Sequence, residues 1–215
     1  MPDFVAGHSL GEYSALYAAG VFDFATGLKL VKERAGIMAT VTGGMMAALM
    51  KFDVEQLQQA LSNDDDVVLA NDNSPEQVVI SGTVEAVQQV LSSVKARRAV
   101  PLKVSGAFHS VFMAEPSEKF NLSLRACDFQ DATVPVLSNT APSPCQDREI
   151  LKERLAQQMT GSVRWRETLL SLPSLGVSDY WEVGPGKVLT GLCKRTCTGV
   201  TVQNLGTLEA LQALG

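Results

Sequence analysis

A chain of 215 residues, 46% hydrophobic and 19% charged with a net charge of −5, is long enough for one large core carrying a small inserted unit. That acidic balance argues against a general nucleic-acid or membrane-surface binder, no apolar run reaches the ~18 residues of a membrane span, and no signal-peptide pattern opens the chain. Cys127, Cys145, Cys193 and Cys197 lack C-x-x-C spacing and only His8 and His109 could join them, so no metal site is expected, and free thiols suit a reducing cytoplasm.

Phe4, Val5 and Ala6 are apolar and read as the end of a buried strand. Gly7-His8-Ser9-Leu10-Gly11 follows and fits G-x-S-x-G, and Glu12 to Ala19 reads as the start of a helix. Strand, sharp turn and helix are the context in which this motif exposes a nucleophilic Ser. Both glycines are expected to permit a turn that a Cβ would crowd. The Leu10 backbone N–H is then placed to hold a tetrahedral oxyanion formed at Ser9. The competing reading, a Ser capping a helix in a Gly-rich turn, needs no preceding strand.

A second helix is expected over 24–38, capped by Asp23, with Leu28, Val31 and Ala35 on its apolar stripe. Gly43-Gly44 breaks the chain. Strand 45–50, helix 53–61, strands 66–71 and 77–81, helix 83–94 and strand 98–104 follow, with Asn71 to Pro75 read as turn chemistry. The order β-α-β-β-α-β is the ferredoxin-like arrangement. We therefore expect a small subdomain over 45–104, inserted in a larger α/β domain made of 1–44 and 105–215.

In the returning segment a loop at 105–110 leads into helix 111–126 and strand 133–138. Helices 147–159 and 163–171 and strand 178–183 follow, and apolar Val177, Tyr180, Trp181 and Val183 suit a buried strand. After the Gly184-Pro185-Gly186 turn come helix 187–195, strand 199–203 and helix 207–214. Cys193 and Cys197, four apart, share one helix face.

A nucleophilic Ser needs a base. His8 is locked into the turn, so the candidate is His109, in Ser105-Gly-Ala-Phe-His-Ser110 before a helix. In α/β-hydrolases the order is Ser, acid, His, with the His late in the chain. No His follows His109, which counts against a hydrolase of that fold. Arg34, in a largely apolar helix, either clamps a substrate carboxylate bidentately or faces solvent beside Glu33, and the residues alone favour solvent.

Gly7-His-Ser-Leu-Gly-Glu-Tyr-Ser-Ala-Leu16, Ala19-Gly-Val-Phe-Asp-Phe24, Arg34, Asn73-Ser-Pro-Glu-Gln-Val-Val-Ile-Ser-Gly82, Gly106-Ala-Phe-His-Ser110 and Glu182-Val-Gly-Pro-Gly-Lys-Val-Leu-Thr-Gly-Leu192 together resemble the malonyl-CoA:acyl carrier protein transacylase family. The resemblance runs over essentially the whole chain, and extends to the acyltransferases of polyketide synthases that act in trans. It implies a hydrolase-like large α/β domain with a parallel sheet plus an inserted ferredoxin-like subdomain. It also implies malonyl transfer from malonyl-CoA to the phosphopantetheine thiol of an acyl carrier protein through a malonyl-serine, with no cofactor, nucleic acid or membrane. By position, Ser9 matches the nucleophile, His109 the base, Leu10 an oxyanion donor and Gln158 the residue whose backbone carbonyl orients the His in place of an Asp. Arg34 matches the partner of the malonyl carboxylate, and His8 and Phe108 lie among the substrate-binding positions. In polyketide relatives a Phe at the latter position goes with malonyl and a Ser with methylmalonyl. Family members begin with a further strand and a Gly-Gln-Gly-Ser loop that this sequence lacks. A longer chain or a partner chain is therefore expected to supply that N-terminal region. The alternatives are a catalytically incomplete module that binds carrier protein, and a serine hydrolase or thioesterase.

Overall fold

The computed structural model describes residues 1–213. Strand β1, Val5–Ala6, pairs in parallel with a strand at Val136–Leu137 in the register Val5 to Val136. Helix α1, Gly11–Ala18, ends where Gly20 takes φ +76. There the Val21 N–H donates to the Leu16 carbonyl at 3.0 Å and the Gly20 N–H to the Tyr17 carbonyl at 2.9 Å, the paired closure that a left-handed Gly makes possible.

Helix α2, Phe24–Thr40, is capped as expected, with Asp23 accepting from the Thr26 N–H at 2.8 Å. Its buried face differs from the expected stripe. Gly27, Leu30 and Arg34 point inward, while Leu28 is 56% exposed. Hydrophobic periodicity gives no weight to Gly and excludes Arg, so the expected stripe was displaced by one residue from the face that packs. A Cβ on Gly27 would lie 2.8 Å from the Phe22 ring, which explains a bare position on that face.

Strand β2 (Met45–Phe52), helix α3 (Val54–Ser62), strands β3 (Val67–Ser74) and β4 (Gln77–Gly82), helix α4 (Val84–Ser93) and strand β5 (Ala96–Pro101) form an antiparallel sheet in the order β3-β4-β2-β5. That order, with two helices on one face, is ferredoxin-like. Asp53 and Thr83 cap the helices, and such caps contribute about 1 kcal/mol each. Ala47, Leu49, Leu57, Val67, Ile80, Val87 and Val90 share a core separate from that of α1 and α2.

The stretch read as a turn at 71–75 is instead mostly strand. β3 runs to Ser74 through two register shifts, and Asn71, Asp72, Asn73 and Ser74 are buried. Turn-forming residues persist there because the returning segment satisfies them. The Asp72 N–H donates to the Val163 carbonyl at 2.9 Å, and the Val163 N–H to the Ala70 carbonyl at 2.8 Å. The Arg166 guanidinium meets the Asp72 carboxylate at 2.8 Å. The small sheet is thereby keyed to the rest of the molecule along one edge strand.

After a single 3-10 turn at Val111–Met113, α5 covers Ala114–Arg125 and β6 is the Val136–Leu137 strand already met. Helices α6 (Arg148–Gln157) and α7 (Trp165–Ser174), strand β7 (Asp179–Val183), helix α8 (Val188–Thr196), strand β8 (Thr201–Leu205) and helix α9 (Leu208–Gln212) complete the chain. Residue 214, the expected end of the last helix, lies outside the described residues. Among those residues the parallel strands form two separate pairs, β1 with β6 and β7 with β8. β7 is half-buried rather than fully buried: Tyr180 joins a cluster with Leu169, Leu192 and Val202, while Trp181 and Val183 are exposed on the other face. Counting apolar residues without their alternation therefore misled the expectation, because only alternate residues pack. Among the described residues no helix is long and apolar enough to cross a membrane.

Candidate active site

The turn between β1 and α1 puts Ser9 at φ 49, a left-handed conformation that side chains rarely adopt. Two features hold it there. A Cβ on Gly7 would fall 2.0 Å from the carbonyl carbon and oxygen of Gly11, so the chain crosses itself where only glycine fits. Gly11, expected to be needed for the same reason, has open space around it and an ordinary helical position. The second hold is Asn139, just after β6. Its Oδ1 accepts from the Ser9 N–H at 2.7 Å and its Nδ2 donates to the Gly7 carbonyl at 2.6 Å.

His109 also sits at a positive φ of 56. Its Nε2 lies 2.9 Å from Ser9 Oγ, and its Nδ1 lies 2.9 Å from the Gln158 carbonyl oxygen. A carbonyl only accepts, so Nδ1 carries the proton and Nε2 is free to receive one from Ser9. The Gln158 carbonyl is available because Gln158 is the C-cap of α6, where the last carbonyls have no helical partner. Burial, helped by Arg34 and His8, pushes the His109 pKa down to about 4, although the bond to Gln158 opposes the shift. The imidazole is therefore neutral at pH 7, as a base must be.

Arg34 reaches the same hydroxyl: its guanidinium donates to Ser9 Oγ at 3.0 Å. The side chain is only 5% exposed, lies 5.7 Å over the Tyr13 ring, and makes no ion pair among the described residues. Its Nε has no partner there either. This overturns the solvent-facing reading, since a buried cation without a counter-ion is costly unless an anion completes it.

The other expected residues fall around this centre in different ways. The His8 Nε2–H donates to Asn73 Oδ1 at 2.7 Å, and the ring meets Trp165 edge-on at 5.6 Å between centroids. His8 thus ties the turn to β3 and α7. Leu10 exposes its side chain, and its backbone N–H, at the N-cap of α1, has no protein acceptor among the described residues. Phe108 is partly buried and packs against both the large core and the Met46, Ala48, Ala70 and Val79 cluster of the small sheet.

A Ser–His pair at bonding distance, oriented by a carbonyl and joined by a buried unpaired Arg, is an acyl-transfer constellation. Comparison with known proteins agrees. Residues 1–209 match the acyl transferase domain model. The chain belongs to the acyl transferase family.

A malonyl CoA-acyl carrier protein transacylase of Synechocystis sp. is 71% identical to it over 213 residues, covering 99% of this chain and 73% of the relative. A crystal structure of malonyl-CoA:ACP transacylase from Synechocystis sp. PCC 6803 matches with a TM-score of 0.98 at 70% identity, covering 99% of this chain and 73% of that one. A type II PKS acyl carrier protein in complex with its malonyl-transacylase matches with a TM-score of 0.92 at 36% identity, covering 100% of this chain and 72% of that one.

Three residues of this acyl transferase site escaped the sequence reading. Asn139 and Asn73 look like ordinary loop asparagines, and the only signal for the first is its position directly after a strand. Glu12 reads as a helix-start acid, yet it is 1% exposed. Its Oε2 accepts from the Gln158 side-chain amide at 2.7 Å and from the Asn139 N–H at 3.3 Å. Burial raises its pKa to about 7 against those donors.

Proposed function

We infer that this acyl transferase is a malonyl-CoA:acyl carrier protein transacylase, and the observation that carries the substrate class is the buried, unpaired Arg34 beside Ser9 Oγ. His109 Nε2 takes the Ser9 hydroxyl proton as Oγ attacks the thioester carbonyl, and the Leu10 N–H donates to the oxyanion. The tetrahedral intermediate collapses to malonyl-Ser9, and the same proton leaves with the CoA thiol. The phosphopantetheine thiol of the carrier protein then repeats the steps in reverse, giving its proton to His109 and taking the malonyl group. Arg34 meets the distal carboxylate, which satisfies the buried charge and fixes the acyl chain for the incoming thiol rather than for water. Ser9 and His109 supply nucleophile and proton shuttle without a cofactor, and four free thiols are at home in the cytoplasm.

Mixing the protein with malonyl-CoA, followed by intact-mass and peptide mass spectrometry, tests this reading. A stable malonyl group on Ser9 that a carrier-protein thiol removes is the expected result. Hydrolysis faster than transfer would make it a thioesterase, and no adduct on Ser9 would overturn the assignment.

A further inference from the structure

We propose that Glu12 is a positioning residue for the acyl transfer, acting through the Gln158 side chain to hold the His109 acceptor in register with the Ser9 turn. The inference rests on the Ser9–His109 reading above. His109 owes its orientation to the Gln158 backbone carbonyl, at the end of a helix that contributes no other described bond to the base. What fixes that carbonyl relative to Ser9 is the Gln158 amide. Its Nε2 donates both to the Ser9 carbonyl at 3.0 Å and to Glu12 Oε2 at 2.7 Å. The Ser9 carbonyl can only accept, so the amide orientation is settled by chemistry. Glu12 Oε2 also accepts from the Asn139 N–H, and the Asn139 side chain holds Ser9 N–H and the Gly7 carbonyl.

One carboxyl oxygen thus joins the residue that orients the base to the residue that clamps the nucleophile turn. Gln158 is 0% exposed and Glu12 1%, so no water competes for these bonds. Such buried carboxyl–amide networks act as units, because losing one member leaves its partners unsatisfied. Neither Glu12 nor the Gln158 side chain is placed to touch substrate, so their loss should move the chemical step and spare binding.

The test is single-turnover labelling of Ser9 by malonyl-CoA at varied concentration. Glu12→Ala and Gln158→Leu are each expected to slow acylation about 10- to 100-fold, with half-saturation within about twofold of wild type. The double variant should be no slower than the worse single one, since both cut the same link. Glu12→Gln, which keeps an acceptor oxygen at Oε2, should recover most of the rate. A role confined to stability would lower the unfolding midpoint while leaving the rate of the labelled fraction unchanged, and that result overturns the proposal. So do multiplicative losses in the double variant. If Glu12→Ala does not fold, Gln158→Leu decides alone, and a wild-type rate sinks the idea. Failure of the wild type to label Ser9 would instead strike the proposed function and is told apart by that control.

Discussion

Glu182, on β7 against the start of α8, and Glu12, in the first turn of α1, are treated oppositely. Glu182 faces the first turn of α8, where Oε1 accepts from the Leu189 N–H at 3.0 Å and Oε2 from the Thr190 N–H at 2.8 Å, the Thr190 hydroxyl and Asn204. Burial pushes its pKa up, but those donors outweigh it and hold the carboxyl below its usual range. Glu12, in the first turn of α1, uses one oxygen and leaves the other unpartnered among the described residues. The same holds for Gln158 Oε1, Arg34 Nε and the Tyr13 hydroxyl. Where Glu182 holds the start of α8, both of its oxygens are bonded. Around Ser9, buried polar capacity on these four residues is left open, and of them Arg34 is the one that reaches the reacting hydroxyl.

The comparison breaks most sharply at the base. His109→Ala should slow Ser9 acylation about 10³-fold or more, with little change in the unfolding midpoint. A loss under about tenfold in single-turnover labelling would place the base elsewhere.

The next effect is on folding. Gly7→Ala sets a Cβ 2.0 Å from the Gly11 carbonyl, so α1 must shift from β1; we expect destabilisation of about 4 kcal/mol or more. Gly11→Ala meets nothing within 4 Å at a helical position and should stabilise by up to about 1 kcal/mol. Urea unfolding of both variants measures the contrast, and equal effects would remove the distinction between the two motif glycines.

These glycines show how far the sequence could be read. The motif located the turn because a sharp strand-to-helix bend needs glycine, but it could not say which glycine carries the steric load. That depends on a contact between residues four apart, visible only in three dimensions. The ferredoxin-like unit was legible from its order of apolar runs and caps, which are local. Asn71 to Ser74 was misread because its partners, Val163, Arg166 and His8, are distant in sequence. Arg34 follows the same logic: composition excludes a charge from a core, and only the site explains why one is buried there. Ser9 was legible from its motif and His109 from the scarcity of histidine, whereas the role of Gln158 came from the family resemblance alone, and the structure brings all three within bonding reach.

Substrate choice should move less than rate. Arg34→Ala removes the unpaired cation, so the preference for malonyl-CoA over acetyl-CoA should fall by about 10- to 100-fold, the scale of a lost charge-assisted bond. Competition between the two thioesters reads it directly, and an unchanged ratio would detach Arg34 from the substrate carboxylate. The pH dependence follows from His109. With its pKa held near 4 by burial, the acylation rate should stay level as pH falls from 8 to about 5, instead of declining below 6.5 as an exposed imidazole would dictate.

The smallest effects set the two glutamates against each other through pH. Glu182 has a folded pKa below the unfolded one, so the stability it contributes is present above the unfolded value and is lost as pH falls through the folded value. Glu12 runs the other way. With a folded pKa near 7 and an ordinary value of 4.5, the native state binds more protons between those limits, and stability is lost as pH rises through that window. Gln mimics the protonated acid at both positions. Glu182→Gln should therefore cost about 1 kcal/mol at pH 8, where an amide nitrogen would face N–H donors, and much less near pH 4. Glu12→Gln should be close to wild type at pH 5 and gain on it at pH 8, because an amide avoids the desolvation of an ionised carboxyl. Denaturant unfolding of the three proteins at pH 4, 5 and 8 gives curves of opposite slope. Parallel curves would mean that Glu12, like Glu182, is held charged by its neighbours, and the contrast between a filled and an open polar site would lose its electrostatic basis.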